Sequence, residues 1–252
     1  MWTSLSIAFR ILTTLPVSTL GSPAPLAVRR SVVFFPLVGA MIGIVCGAVW
    51  MLAARMWPGQ LLAAAAASML TQILLTGGRG LGGVARAADA LASLQEEGDR
   101  SKATSMLRET RRNTAGVVVA IVMALLKAAL LSALRPESAW LSLIVAGCLG
   151  QWAVAFSFTL FRLLPAWNNP EIEGSFAGAG PTEFIGALAL ATFGAAILPI
   201  QGLIALAAIA VIAGTIAKSI DRAFNGLNVY FGYGLGYIAE IVAIGVLAMR
   251  IV

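Results

Sequence analysis

The sequence predicts an all-α protein that crosses a membrane about six or seven times and keeps its polar loops on the cytoplasmic face. Of the 252 residues, 60% are hydrophobic and only 11% are charged, whereas soluble domains average about 25% charged residues. Several charge-free stretches are about 20 residues long, which lets a helix cross about 30 Å of hydrocarbon. The basic residues gather on one side of these stretches. This combination excludes a soluble globular fold.

The first 31 residues are predicted to lie at the membrane interface. The part after Arg10 is apolar, but Pro16, Pro23 and Pro25 favour an interfacial helix followed by irregular chain. Arg10 and Pro16 also interrupt the early apolar stretch, so we expect no cleavable signal peptide.

The spans follow in order within a single membrane domain, residues 1–252. The charge-poor stretches are Val32–Ala54, Gly59–Gly78, Ala115–Leu134, Ser138–Phe161, Phe184–Ala217 and Gly234–Met249. The fifth stretch is too long for one span. Because Pro199, Gln201 and Gly202 favour a turn in its middle, we interpret it as two short spans.

The basic residues predict the orientation. With seven spans and the N-terminus inside, one side holds Arg10, Arg29, Arg30, Arg79, Arg86, Arg100, Lys102, Arg108, Arg111, Arg112, Arg162, Lys218 and Arg222. The other side holds only Arg55, Arg135 and Arg250. This positive-inside bias puts residues 79–114, predicted to be a polar loop, in the cytoplasm. The net charge of +6 therefore follows membrane topology, and we expect no nucleic-acid partner.

Two residue types limit the chemistry. The chain has no histidine, which removes the commonest general base and transition-metal ligand. Its two cysteines, Cys46 and Cys148, lie in apolar runs without a CxxC spacing, so we expect buried thiols rather than a disulfide or metal site.

Two charges lie inside predicted spans, Lys127 and Glu240. A lone charge at the bilayer centre costs at least about 2.5–3.5 kcal/mol, so each needs a partner or a polar cavity. Pairing with each other is one hypothesis.

The polar 79–114 segment holds the candidate chemistry. Its Gly-rich start, within Leu75–Leu91, contains one carboxylate, Asp89. Further on, Arg108 lies three and four residues before Arg111 and Arg112, on one helix face if the segment is helical, where such side chains can clamp a phosphate. The alternative is a basic anchor beside the next span.

Five segments match one known family in order and spacing. They are Leu12–Val17 (family Leu-Thr-Arg-Leu-Pro-Val), Phe35–Gly39 (Phe-Pro-Leu-hydrophobic-Gly), Leu75–Gly78 (the lead into the family's acidic motif), Arg108–Arg111 (Arg-Asp-Ser-Arg) and Asn225–Glu240 (Gly-Gly-x-Thr-Gly-Asp-x-Leu-Gly, then a Glu-rich span). Taken together, the chain resembles the cobalamin synthase family, the adenosylcobinamide-GDP ribazoletransferases. The resemblance covers nearly the whole chain.

The family's acidic motif, His-x-Asp-Gly-x-x-Asp-x-x-Asp, is largely replaced in this chain. Its positions fall on Gly80, Gly82, Gly83, Arg86 and Asp89. Glycine thus stands for the histidine and the first aspartate, arginine for the second, and only the last aspartate is kept. In the final span, the family's aspartate and one of its glutamates fall on two tyrosines, Tyr230 and Tyr237.

The resemblance implies a transferase that joins α-ribazole to adenosylcobinamide-GDP and releases GMP with the help of Mg²⁺. Corrinoid and nucleotide molecules are the implied partners, next to lipid, in the bacterial inner membrane; a homo-oligomer is left open. The implied catalytic residues are Asp89 and Glu109, with Glu240 as a further metal ligand. The implied substrate-binding residues are Arg79, Arg86, Arg108, Arg111, Lys127 and Asn225.

Three alternatives stay open at this point. Arginines such as Arg79 and Arg86 can neutralise phosphate in place of part of the metal's role. The chain can instead be an inactive relative that binds a corrinoid or nucleotide. A small-molecule transporter is disfavoured, because the polar groups crowd on one face and no internal repeat is visible.

Overall fold

The computed structural model describes residues 2–17, 24–97, 114–161, 163–164, 176 and 179–249, and within them the fold is helical. The helices are α1 (Trp2–Leu12), α2 (Pro25–Ser31), a 3₁₀ turn (Val32–Phe34), α3 (Phe35–Met56), α4 (Leu61–Thr76), α5 (Arg79–Glu97), α6 (Thr114–Ser132), α7 (Ala139–Leu160), α8 (Pro181–Ala195), α9 (Pro199–Phe224) and α10 (Val229–Ala248). Two-residue strands, β1 (Leu163–Leu164) and β2 (Leu227–Asn228), pair in parallel. The prediction of an all-α fold is confirmed.

Five helical stretches in the described residues are long and apolar enough to cross a membrane, and a sixth counts if α4 and α5 form one bent span. They comprise α2–α3 together, α6, α7, α9 and α10. Helix α8 has 15 residues and rises only about 22 Å. These helices make the chain an integral membrane protein.

The long apolar run after residue 180 is broken where the sequence predicted a turn. Helix α8 ends at Ala195, and α9 begins at Pro199. Proline is favoured in a first helical turn because its missing N–H has no intrahelical acceptor there. The two helices are unequal, with 15 and 26 residues, because the break lies near the front of the run.

The prediction of a polar loop over 79–114 is wrong for its first half, where Arg79–Glu97 form α5. Gly77 and Gly78 adopt positive φ angles of 63° and 67°, which glycine reaches without steric cost. They turn the chain by 84° between α4 and α5. The loop interpretation followed the polarity of the segment and overlooked that small residues let it pack on other helices. Residues 98–113 lie outside the described part.

The centre of the fold is α7, which packs against α3 and α10. Its candidate membrane segment is 78% buried inside the protein. Small residues allow α3 and α7 to approach closely, and a Cβ added at Gly39 would lie 2.2 Å from the carbonyl oxygen of Gly147. Backbone proximity of this kind is typical of glycine-lined contacts between membrane helices.

The N-terminal segment is fastened to the bend between α4 and α5. The Thr14 N–H donates to the carbonyl of Leu75 at 2.7 Å. From the bend, Arg79 Nη1 donates to the carbonyl oxygens of Ile11 and Thr13. Helix α1 thus holds the first turn of α5 in place; its predicted position at a membrane interface stays a prediction.

Candidate active site

A charged and hydrogen-bonded triad lies among the apolar helices. Lys127 Nζ on α6 donates to the Glu240 carboxylate on α10 and to Gln72 Oε1 on α4, the latter at 2.6 Å. Gln72 Nε2 donates to Glu240 Oε2 at 2.6 Å. Lys127 and Glu240 are almost fully buried. The hypothesis that the two charges pair is confirmed, and each cancels the other's burial cost in part.

A partly open cleft of about 450 Å³ lies beside this triad. The α4–α5 bend, the end of α1, α7 and α10 form its walls. Gln72 and Glu240 line it together with Gln151 and Tyr237, and Arg79 lies at the bend.

Helix α5 lies directly against α10 through its glycines. A Cβ at Gly83 would lie 2.3 Å from the carbonyl oxygen of Tyr230, whereas one at Gly80 would meet the Tyr237 ring atoms at 3.1 Å. Arg86, one turn further along α5, places its guanidinium carbon 3.4 Å from the centroid of the Tyr230 ring. Positions 80 and 86 of α5 therefore face positions 237 and 230 of α10.

The retained aspartate, Asp89, is buried and holds the start of α6. Its Oδ1 accepts a hydrogen bond from the Gly116 N–H at 2.7 Å, one of the donors that a helix N-terminus leaves without an intrahelical acceptor. A Cβ on Gly116 would lie 2.6 Å from Asp89 Oδ2. The structure therefore gives Asp89 a structural contact, while its catalytic and metal-binding roles stay predictions.

The other residues implied by the resemblance are scattered. Arg79 is engaged by backbone carbonyls. Asn225 ends α9 in a left-handed conformation, with φ 58°, and its N–H donates to the carbonyl of Asp221. Glu109, Arg108 and Arg111 lie outside the described residues. Within the described ranges, no three His, Cys, Asp or Glu residues are placed to share a metal ion.

The sequence interpretation missed two polar residues of the cleft, Gln72 and Gln151. Each is an amide within a charge-free run, which is a usable signal because an uncharged polar side chain inside a membrane also needs a partner. The interpretation weighed only the charged residues of the spans.

The chain matches the cobalamin-5-phosphate synthase family over residues 4–251. The chain belongs to this family. An adenosylcobinamide-GDP ribazoletransferase of Pseudomonas fluorescens strain Pf-5 is 35% identical over 148 residues, 59% of each chain. One of Alkalilimnicola ehrlichii is 33% identical over 187 residues, 74% of this chain and 71% of the relative. The resemblance inferred from the motifs is thereby confirmed.

The similarity covers only part of the length of these curated relatives. For the Pseudomonas relative it spans about three fifths of that protein, and for an adenosylcobinamide-GDP ribazoletransferase of Herpetosiphon aurantiacus it spans 63%. No solved structure matches the chain. Membership of the family is established.

Proposed function

We propose that this membrane protein is a ribazoletransferase of late cobalamin biosynthesis, which joins α-ribazole to adenosylcobinamide-GDP and releases GMP. The observation that carries the proposal is the contact between α5 and α10. Gly80 lies against Tyr237, and Arg86 lies over Tyr230. These are positions of the two family motifs, so segments far apart in the sequence meet, and the Gly80–Tyr237 end of their contact lines the cleft.

The proposed reaction is a phosphoryl-type transfer. An oxygen of α-ribazole attacks the phosphorus joined to cobinamide, the bond from that phosphorus to the GMP oxygen breaks, and GMP leaves with the bonding electrons. Such reactions depend on positioning and on neutralising the charge of the transferred group. In this chain, we assign that neutralising charge to arginine, with Arg86 as the described side chain at the motif position.

Magnesium does not fit the described residues. Mg²⁺ prefers octahedral oxygen ligands and typically takes one or two carboxylates in addition to substrate phosphates and water. Asp89 is engaged by Gly116, and Glu240 by Lys127 and Gln72. A magnesium site at Asp89 and Glu109 therefore stays a prediction that needs residues beyond those described, and no step is assigned to the metal.

A second candidate function is a catalytically inactive relative that binds a corrinoid or a nucleotide. The replacement of three of the motif's side chains, at Gly80, Gly82 and Arg86, favours it. The two functions share a binding site and differ in whether the phosphorus–oxygen bond to GMP is broken.

The proposed location is the bacterial inner membrane, with the site on the cytoplasmic face. The support is the one-sided distribution of arginine and lysine. The membrane character itself rests on the long apolar helices.

The deciding experiment uses the full chain reconstituted in lipid. Adenosylcobinamide-GDP, α-ribazole and Mg²⁺ are added, and released GMP is measured by chromatography. We expect GMP release above a protein-free control, and a fall of about ten-fold or more in Arg86→Gln because removing a charge that stabilises the transferred group typically costs this much. The matched control is Arg55→Gln, an exposed arginine in the last turn of α3.

The outcomes separate the two candidate functions. Binding of adenosylcobinamide-GDP without GMP release would establish the inactive relative. Equal rates in Arg86→Gln and Arg55→Gln would remove Arg86 from the site. A gain of activity in the doubly substituted Gly82→Asp, Arg86→Asp protein would identify the replaced acids as the limiting difference from active relatives.

A further inference from the structure

The charged side chains that line the cleft, Arg79 and Glu240, have opposite signs, so the lining carries no net charge. Glu240 is paired with Lys127, and Arg79 Nη1 at the bend donates to the carbonyl oxygens of Ile11 and Thr13. A charged group that entered would lose part of its hydration, which costs more free energy than the transfer of a neutral polar group.

Two polar atoms beside the cleft are buried without a hydrogen-bond partner in the described part of the chain. They are the phenol oxygen of Tyr237 and Oε1 of Gln151, and both residues line the cleft. Tyr237 is only 7% exposed. A buried polar group without a partner costs about 1–3 kcal/mol, so a ligand that satisfies both atoms recovers free energy on binding.

The two atoms differ in what they require. Gln151 Oε1 only accepts a hydrogen bond, whereas the Tyr237 hydroxyl can donate one. A complementary neutral group therefore offers one hydrogen-bond donor and one acceptor. A primary carboxamide has both, and it carries a second N–H for a further acceptor.

We infer that the cleft between the α4–α5 bend, α7 and α10 binds a neutral carboxamide-bearing arm of the substrate, with Gln151 and Tyr237 as its recognition residues. Apolar side chains of Leu12, Ile73 and Leu81 complete the walls and suit the carbon chain of such an arm. This inference rests on the proposed function in one respect, that the corrinoid substrate supplies the carboxamides.

The test measures binding of dicyanocobinamide, a corrinoid with peripheral carboxamides and no nucleotide, to the full chain in lipid nanodiscs by calorimetry. We expect Gln151→Leu and Tyr237→Phe each to weaken binding about five-fold, the loss typical of one neutral hydrogen bond. Tyr237→Phe removes an oxygen that has no described partner, so the fold should tolerate it. Gln60→Leu, at an exposed glutamine before α4, is the matched control.

A second probe tests the chemical class. Cobyrinic acid, which has carboxylates in place of carboxamides, should bind at least about ten-fold more weakly than dicyanocobinamide, because a carboxylate loses more hydration on burial than a carboxamide does. Equal or tighter binding of the acid would overturn the inference. Native-like affinity in both cleft variants would do so as well, and so would no binding of dicyanocobinamide to the native chain.

These results are independent of GMP release. Binding that is weakened in the variants supports the inference even if no GMP is released, in which case the proposed transferase function alone fails. GMP release with an unchanged KM in Gln151→Leu and Tyr237→Phe leaves the function standing and removes the inference.

Discussion

At the residue scale, the buried pair of Lys127 and Glu240 shows why the intramembrane charges are tolerated. Lys127 donates hydrogen bonds to Glu240 and Gln72, and Glu240 also accepts one from Gln72. Neither charge therefore faces lipid without compensation. The energetic consequence is asymmetric: removing one partner leaves a buried charge, whereas removing both leaves only the uncharged Gln72 amide without these partners.

This asymmetry predicts the behaviour of single and double substitutions. Lys127→Met should destabilise the protein by about 3–5 kcal/mol, because Glu240 is left buried and charged. Adding Glu240→Leu should restore most of this loss. Thermal unfolding in detergent measures both. Leu125→Met, on the lipid-exposed side of the same helix, should be close to neutral, and a double variant less stable than Lys127→Met would contradict the account.

A second ion pair predicts a dependence on pH. Burial raises the pKa of the Glu183 carboxyl, but hydrogen bonds from the Thr182 hydroxyl, the Gly180 N–H and Arg29 outweigh burial and leave the pKa below its ordinary value of 4.5. A lowered pKa in the folded state stabilises the fold above the ordinary value, and this contribution is lost as the pH falls through the folded pKa.

The measurement compares melting temperatures from pH 7 down to pH 3. Glu183→Gln should be less stable than the native protein at pH 7, and the difference should shrink below about pH 4.5. Glu137→Gln, at an exposed residue between α6 and α7, should follow the native curve throughout. A Glu183→Gln deficit that stays constant with pH would show that the carboxylate's charge is not involved.

At the element scale, the close contact of α5 with α10 requires glycine at position 83 but not at the adjacent position 82. A Cβ at Gly83 would lie 2.3 Å from a backbone oxygen of α10, while one at Gly82 would meet no atom within 4 Å. The two positions are adjacent in sequence and differ by one step around the helix. Neither composition nor periodicity distinguishes them.

Two alanine substitutions test this contact. Gly83→Ala should lower stability by about 1–3 kcal/mol or more, since the helices must move apart. Gly82→Ala should stabilise by about 0.5–1 kcal/mol, because alanine is the better helix former and the added methyl meets open space. The measurement compares the melting temperatures of the two variants. Equal changes in both would mean that α5 and α10 do not make this contact.

The open space beside Gly82 determines whether the family's aspartate can be restored at that position. An aspartate at position 82 meets no described atom within 4 Å of its Cβ, so Gly82→Asp is sterically possible. A histidine at position 80 would press on the Tyr237 ring. The family's side chain can therefore be restored without a steric clash at position 82 but not at position 80.

At the scale of the whole molecule, successive spans cross the membrane in opposite directions, so successive connecting segments are expected on opposite sides of it. The turn before α4 and the end of α9 lie at opposite faces in the orientation that the basic residues predict. Both natural cysteines are buried, so cysteines introduced at exposed residues report their own accessibility.

An impermeant thiol reagent tests this orientation. In spheroplasts with an intact inner membrane, Gln60→Cys should be labelled, whereas Arg222→Cys, exposed near the end of α9, should be labelled only after the membrane is opened. The unsubstituted chain is the control and should not react. Labelling of Arg222→Cys together with protection of Gln60→Cys in closed spheroplasts would reverse the orientation and place the cleft on the outer face, whereas labelling of both would mean that α8 does not cross the membrane.

The sequence by itself determined the fold class, the family and most helix positions, because long apolar runs and ordered motifs are local signals. It also predicted the break before Pro199. It did not determine that Arg79–Glu97 is a helix, since polarity argued for a loop and the packing that stabilises the helix comes from α10.

Only the tertiary structure decided which side chains meet. Gln72, Lys127 and Glu240 come from three helices, separated by 55 and 113 residues in the chain, and no local pattern records that they share hydrogen bonds. The same holds for Gly80 beside Tyr237 and for Arg86 over Tyr230. The separation of two residues in the sequence does not predict such contacts, because the packing of the helices determines them.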